Sequence, residues 1–270
     1  MPSSVTTAAP AVRLKSVALP PEHGGWGFVI EPILLGLLVA PSWGGLAFGV
    51  AVLGAFLARH PLKIAVTDHR RGRRYARTAA AERVAAIYLV LVVVGGAAAL
   101  LLAGPAILVP VALAAPMGIV QLGGTLAGRG RDLLPELAGA VALAAAAASI
   151  ARAGDGSVSV ALGLWAILAA RDVPSILYVR ERLRLDKGRT HAPTLVLAAN
   201  GVAAIALALL VVVQRAPWLS LLAVIALAAR AVWGLSPNRR PVPVKVIGFL
   251  EVFYGLLVVV LAALGHHLGL

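Results

Sequence analysis

The sequence predicts an all-α fold, a polytopic membrane bundle of about nine transmembrane helices. Three observations carry this. Hydrophobic residues make up 60% of the 270 and charged residues 13%, where a soluble domain is about a quarter charged; mean hydropathy is +0.94. Apolar runs of about 20 residues, the length that spans a bilayer, recur along the chain. Finally, of the 24 Lys and Arg, all except Arg152 and Arg215 fall on one side of the alternation those runs imply. The absence of cysteine excludes disulfides, a thiolate nucleophile and a Cys-based metal site.

Residues 1–18 are rich in Ala, Ser, Thr and Val, with Arg13 and Lys15. They lack a positive start followed by a compact apolar core, so they read as a disordered cytoplasmic tail and not a signal peptide. Residues 19–270 form a single transmembrane domain. Its spans are placed near 25–41, 44–64, 84–103, 105–123, 133–152, 157–178, 193–213, 217–234 and 243–264. Pro41 to Gly44, Gly104-Pro105 and Arg215 to Pro217 are short breaks that suit helical hairpins. The other connections are longer and basic. Cytoplasmic loops carry the excess of Lys and Arg. The expected location is therefore the plasma membrane, multi-pass, N-terminus in the cytoplasm and C-terminus outside. The net charge of +13 is explained by those loops and calls for no nucleic acid; the expected partner is the lipid bilayer.

The segment "PPEHGGWGFVIEP" (20–32) puts Glu22 and His23 at the mouth of the first run and Glu31 inside it. A charged group at the centre of a membrane helix costs about 2.5–3.5 kcal/mol on insertion scales. At about 1.5 Å per residue, Glu31 lies roughly 9 Å deep. Glu251 lies about two turns into the last run and Asn200 about two turns into the seventh. Arg59, His60, Glu136, Arg171 and Asp172 sit near the cytoplasmic ends of their runs. All fall in the same half of the membrane. Ionisable groups there face the bundle interior or a wet cavity and pair with one another. The expectation is one polar cavity open to the cytoplasm, with Glu31 paired to an Arg or His from another helix. Burial raises a carboxyl pKa toward neutrality. Glu31, Glu251, Glu136 and His60 are therefore the candidate acids and bases. His266 and His267 read as a solvated pair at the far end.

Two basic connections frame this region: "ARHPLKIAVTDHRRGRRYART" (58–78) and "RDVPSILYVRERLRLDKGRTH" (171–191). Their bland role is to set topology and attract anionic headgroups. Their sharper role is an anion site, since guanidinium groups bind phosphate and carboxylate in bidentate fashion. The candidate substrate-binding residues are His23, Trp26, Arg59, Lys63, Asp68, Arg71, Arg74, Arg171, Asp172, Tyr178, Arg180 and Asn200. There is no P-loop, no Rossmann glycine fingerprint, no Gly-x-Ser-x-Gly elbow and no His pair at i, i+4. No residue is assigned to a metal.

"PPEHGGWGFVIEPILLG", the proline-containing polar segment after the second run, "RDVPSILYVRERLRL" and "PVKVIGFLEVFYGLLVV" together resemble the YwiC-like family of bacterial membrane proteins. The layout, with cytoplasmic connections after the second and sixth runs, is also similar to UbiA-type intramembrane prenyltransferases. That resemblance implies a cytoplasm-facing cavity and Asp-rich motifs that hold Mg²⁺-diphosphate. Here the first connection offers only Asp68 and the second only Asp172 and Asp186. A Mg²⁺-bridged diphosphate needs several carboxylate oxygens. No cofactor is evident, and Mg²⁺ is left open with a degenerate motif. The functional expectation is binding or modification of an anionic, phosphate-bearing, lipid-like substrate. If the protein is an enzyme, it is a UbiA-like transferase without the usual Asp-rich motifs. The alternatives are a transporter of a small anion or metabolite and a non-catalytic membrane assembly factor.

Overall fold

A computed structural model of the chain describes residues 14–20 and 25–270. Among the described residues the regular structure is helical: α1 (Leu14–Ala18), α2 (Gly25–Val39), α3 (Trp43–Arg70), α4 (Ala76–Ala103), α5 (Leu108–Leu126), α6 (Leu133–Ala153), α7 (Val158–Asp186), α8 (Pro193–Val212), α9 (Trp218–Leu235) and α10 (Val244–Leu268). A 3-10 turn at Pro105–Ile107 leads into α5. The chain is thus a polytopic helical bundle, and its lipid-facing sides are apolar: Leu101 on α4 is 87% exposed and Val212 on α8 is 79% exposed.

Eight of these helices are long and apolar enough to cross a membrane. The first expected span is the exception. Its helix, α2, has 15 residues, or about 22 Å, shorter than a hydrocarbon core of about 30 Å. Leu14–Ala18, expected to be part of a disordered tail, is a short helix. Val17 is buried beside Ala65 and Ala81, and Tyr88 Oη donates to the Ala18 carbonyl at 3.2 Å.

The two long basic connections are corrected most. α3 runs on to Arg70 and α7 to Asp186, so both polar segments are mostly helix. Arg, Leu, Ala and Glu are good helix formers, and Pro61 and Pro174 are accommodated inside the helices. Only five residues, Arg71 to Tyr75, join α3 to α4. Asp68 holds that corner: it is buried and accepts from Arg77 at 2.7 and 3.0 Å and from Thr78 Oγ1 at 2.8 Å.

α6 and α7 carry much of the interior. Ala144, Ala147, Ala148 and Ala151 of α6 are buried with Leu35 and Val39 of α2 and Leu164 and Leu168 of α7. Small residues let membrane helices approach closely. A Cβ at Gly36 of α2 would stand 2.6 Å from Ile150 Cβ.

Hydrogen bonds define the two ends of the bundle. At one, Arg70 donates to the Leu126 carbonyl at 3.3 Å and Arg180 to the Arg131 carbonyl at 2.9 Å. There too Arg182, buried, donates to Asp186 at 2.9 Å and to the Gly234 and Arg240 carbonyls at 2.6 Å each. At the other end, Arg152 donates to the Gly156 carbonyl at 2.5 Å and His267 Nε2 to the Leu38 carbonyl at 2.7 Å. His267 is therefore a partner for an orphan carbonyl in the last turn of α2, not a merely solvated side chain. The basic residues cluster at the first end, which we call the basic end.

Arg182 makes three bonds that need a planar fork, and an ammonium has one point of charge. Arg182→Lys should therefore lower stability by about 2 kcal/mol, the value of a charge-assisted hydrogen bond, in denaturant unfolding of the detergent-solubilised protein. An unchanged midpoint would show that the tie between α7 and the α9–α10 connection carries no load.

Candidate functional site

Four helices bring five charged side chains to one buried point. α2 supplies Glu31, α7 supplies Arg171 and Asp172, α9 supplies Arg230 and α10 supplies Glu251. Arg171 is at the centre. Its Nη2 donates to Glu31 Oε1 at 2.9 Å and to the Glu251 backbone carbonyl at 2.9 Å, while its Nη1 reaches Asp172 Oδ1 at 3.2 Å. Arg230 Nη1 donates to Glu251 Oε1, and its Nη2 lies 3.4 Å from Ser175 Oγ. Exposure is 1% for Glu31 and 2% for Arg171.

Aromatic rings wall the network. The Arg171 guanidinium lies 5.2 Å from the Phe28 ring centroid. Arg230 lies 4.2 Å from the ring centroid of Tyr178 and 5.1 Å from that of Tyr254. A desolvated cation gains from such faces. Space comes from Gly255, one turn beyond Glu251. A Cβ there would run into Glu31 Oε1 and stand 2.7 Å from Arg171 Nη2. Its absence is what opens the Glu251 carbonyl to a guanidinium from another helix.

The arrangement answers why Glu31 lies in an apolar helix: it is paired with a cation fixed by α7. It also differs from the expected cavity. The carboxylates are enclosed among guanidiniums and rings, with no broad opening to water. Pro32 and Pro174 lie one and two residues beyond Glu31 and Asp172. Each removes an N–H from its helix ladder, a break tolerated in membrane helices beside polar neighbours.

The remaining candidates are scattered. Glu136 pairs with Arg180 at 2.5 Å, partly exposed, where α6 meets α7. His60 donates from Nε2 to the Ser16 carbonyl at 3.1 Å, which turns it toward α1. Asp68 is committed to the α3–α4 corner. Arg74 pairs with Glu82 at 2.7 Å. Lys63 and Arg71 are exposed. Asn200 donates to the Val196 carbonyl of its own helix at 2.8 Å, and its Oδ1 is buried without a partner. His23, with Glu22, lies outside the described residues. No group of three or more His, Asp or Glu among the described residues is placed to hold a metal ion.

Trp26, Phe56 and Arg59 form a second locus. The Trp26 and Phe56 rings meet edge to face at 5.6 Å, and Arg59 lies 5.9 Å from the Phe56 centroid. Phe56 and Arg59 line a cleft of about 350 Å³ with Val52, Ala55, Gly118, Gln121, Gly139, Ala142 and Leu143. Arg59 and Gln121 are its only strongly polar side chains. Gln121 Nε2 donates to Thr125 Oγ1 at 3.2 Å, toward the basic end of α5.

Comparison with known proteins bears on this half of the molecule. A family model described as YwiC-like protein matches residues 19–151. The N-terminal half belongs to the YwiC-like family. No curated protein and no solved structure matches the chain. The cleft falls wholly inside the YwiC-like residues. The ion network straddles their boundary: Glu31 lies within the YwiC-like half, and Arg171, Asp172, Arg230 and Glu251 lie beyond it.

Arg230 was not among the expected site residues. Its place four residues from the end of its run groups it with the loop charges. The signal was present: a lone Arg in "LLAVIALAARAVWGL" (221–235) carries the same insertion cost as Glu31.

Removing one partner of a buried ion pair costs about 3–5 kcal/mol, because the other charge is left without compensation. Glu31→Leu should therefore destabilise the solubilised protein by about 4 kcal/mol, and Glu31→Gln, which keeps an acceptor for Arg171, by much less. Gly255→Ala should cost at least 1–3 kcal/mol, the usual range for overpacking. Thermal unfolding reads all three, and equal midpoints for Gln and Leu would contradict the hydrogen-bonding role.

Proposed function

We propose that the protein binds an anionic, lipid-like molecule at the basic end of the bundle, in the plasma membrane with that end in the cytoplasm. The observation that carries this reading is the α3–α5–α6 cleft. Its walls suit an acyl or prenyl chain. Its two polar side chains, Arg59 and Gln121, suit a phosphate or carboxylate head. The exposed Lys63, Arg71 and Arg73 extend the basic field along α3 and its corner and favour attraction of anionic headgroups. Glu31 and Glu251, the strongest candidates for acid–base chemistry, are held by guanidiniums.

Transport of a small anion or metabolite is the second reading. It is supported by the ion network, since charges inside a membrane bundle often mark substrate pathways.

Dodecyl phosphate and dodecanol separate head from tail. Dodecyl phosphate should quench or shift Trp26 fluorescence, Mg²⁺ present or not, and bind more tightly than the alcohol. Arg59→Gln should weaken it about tenfold, as expected for one charge-assisted hydrogen bond. Ala55→Leu and Ala142→Leu should weaken both probes by filling the cleft. Equal affinity for phosphate and alcohol would remove Arg59 from the site. Strict Mg²⁺ dependence would return the prenyltransferase-like reading to first place.

A further inference from the structure

The buried network does not balance. Glu31, Asp172 and Glu251 are three carboxyl groups; Arg171 and Arg230 are two guanidiniums, always protonated. With every carboxyl ionised the cluster carries one net negative charge, 1–9% exposed throughout. Such a charge is unfavourable inside an apolar bundle.

Among the described residues no cation other than Arg171 and Arg230 pairs with the three carboxyls. α2 contributes Glu31, α7 contributes Arg171, Asp172 and Tyr178, α9 contributes Arg230, and α10 contributes Glu251 and Tyr254. α3, which also packs on α2, turns Arg59 over Phe56 and His60 toward Ser16. α6 spends Glu136 on Arg180. α8 brings Asn200, which is neutral.

A second observation marks where the missing charge belongs. Glu31 Oε2 and Glu251 Oε2 are buried and have no hydrogen-bond partner among the described residues, while the other oxygen of each carboxyl is held by an Arg. An orphan carboxylate oxygen next to a guanidinium-bound one is where a proton turns an unmet acceptor into a donor.

We infer that this cluster is a one-proton site: Glu31 and Glu251 together carry a single proton, on Oε2 of one or the other. Its ligand is a proton taken from water. It leaves when α2 separates from α7 and α10 and water reaches the carboxyls. This makes proton uptake and release a property of helix packing at this point.

Difference infrared spectroscopy of the full-length protein in lipid vesicles tests it. A protonated carboxyl C=O band should be present at neutral pH. It should shift on ¹³C labelling of glutamate and stay fixed on ¹³C labelling of aspartate; neither label perturbs folding. Charge balance then makes an unusual demand. Glu31→Gln and Glu251→Gln should each abolish the whole band, because removing either negative charge removes the need for the proton. A wild-type protein without an acid band, a band that follows the aspartate label, or a band that survives in the Glu31→Gln/Glu251→Gln double variant would each overturn the inference. So would loss of the band on replacing choline with Na⁺ at constant ionic strength, which would make the site one for a monovalent metal ion.

Discussion

Arg171 sits where no water can reach it, and the bundle is built to meet its needs. A guanidinium carries five donors and cannot lose its charge. Buried in α7, it takes oxygens from α2, from α10 and from its own neighbour Asp172. The Glu251 carboxylate passes the constraint to Arg230 on α9. α2, α7, α9 and α10 are thus fixed in register by one cation and its relay. Leucine and alanine contacts hold helices together but tolerate sliding; a charged hydrogen bond in a low dielectric does not. The aromatic faces, the prolines beside the carboxyls and the space at Gly255 are all consequences of seating that group.

The basic end follows a different rule. There the charges lie at helix ends, and their work is mainly to fasten helix termini. Asp68 gathers Arg77 and Thr78 across a five-residue corner, and Arg182 binds the carbonyls that end α9 and precede α10. Charges that look alike in the sequence, Arg171 and Arg182 eleven residues apart on one helix, serve a core and a clasp. The difference is depth.

That difference also explains what was legible beforehand. Glu31, Glu251, Arg171 and Asp172 stand out in the sequence, because a carboxylate or guanidinium in an apolar run demands a partner wherever that partner lies. Charge alternation ordered the helices, because each crossing reverses the side. It could not tell helix from loop outside the bilayer, so α3 and α7 were cut short: the sign of a charge says nothing of the backbone that carries it. The corner that Asp68 makes with Arg77 is not legible in the sequence, because Arg77 is on the next helix, across a turn of unknown geometry. The cleft was invisible. Its walls are Ala55, Gly118, Gly139 and Ala142, residues chosen for what they leave empty, and emptiness depends on how three helices lean together.

The closed network and the open cleft divide the molecule. The cleft lies among α3, α5 and α6, inside the YwiC-like half, and faces outward with a volume suited to a chain. The network lies among α2, α7, α9 and α10, and its five charged side chains are buried. α2 belongs to both: Trp26 at its start packs on Phe56 of the cleft wall, and Glu31, little more than a turn later, is locked to Arg171. It is also the shortest of the long helices, and Pro32 weakens its backbone ladder just past the ion pair. A ligand that moves Phe56 therefore pushes on the helix least able to resist and most tightly bound to the buried charges. Were α2 to shift, the first bond to feel it would be the one between Glu31 and Arg171, on which the register of the other three helices rests.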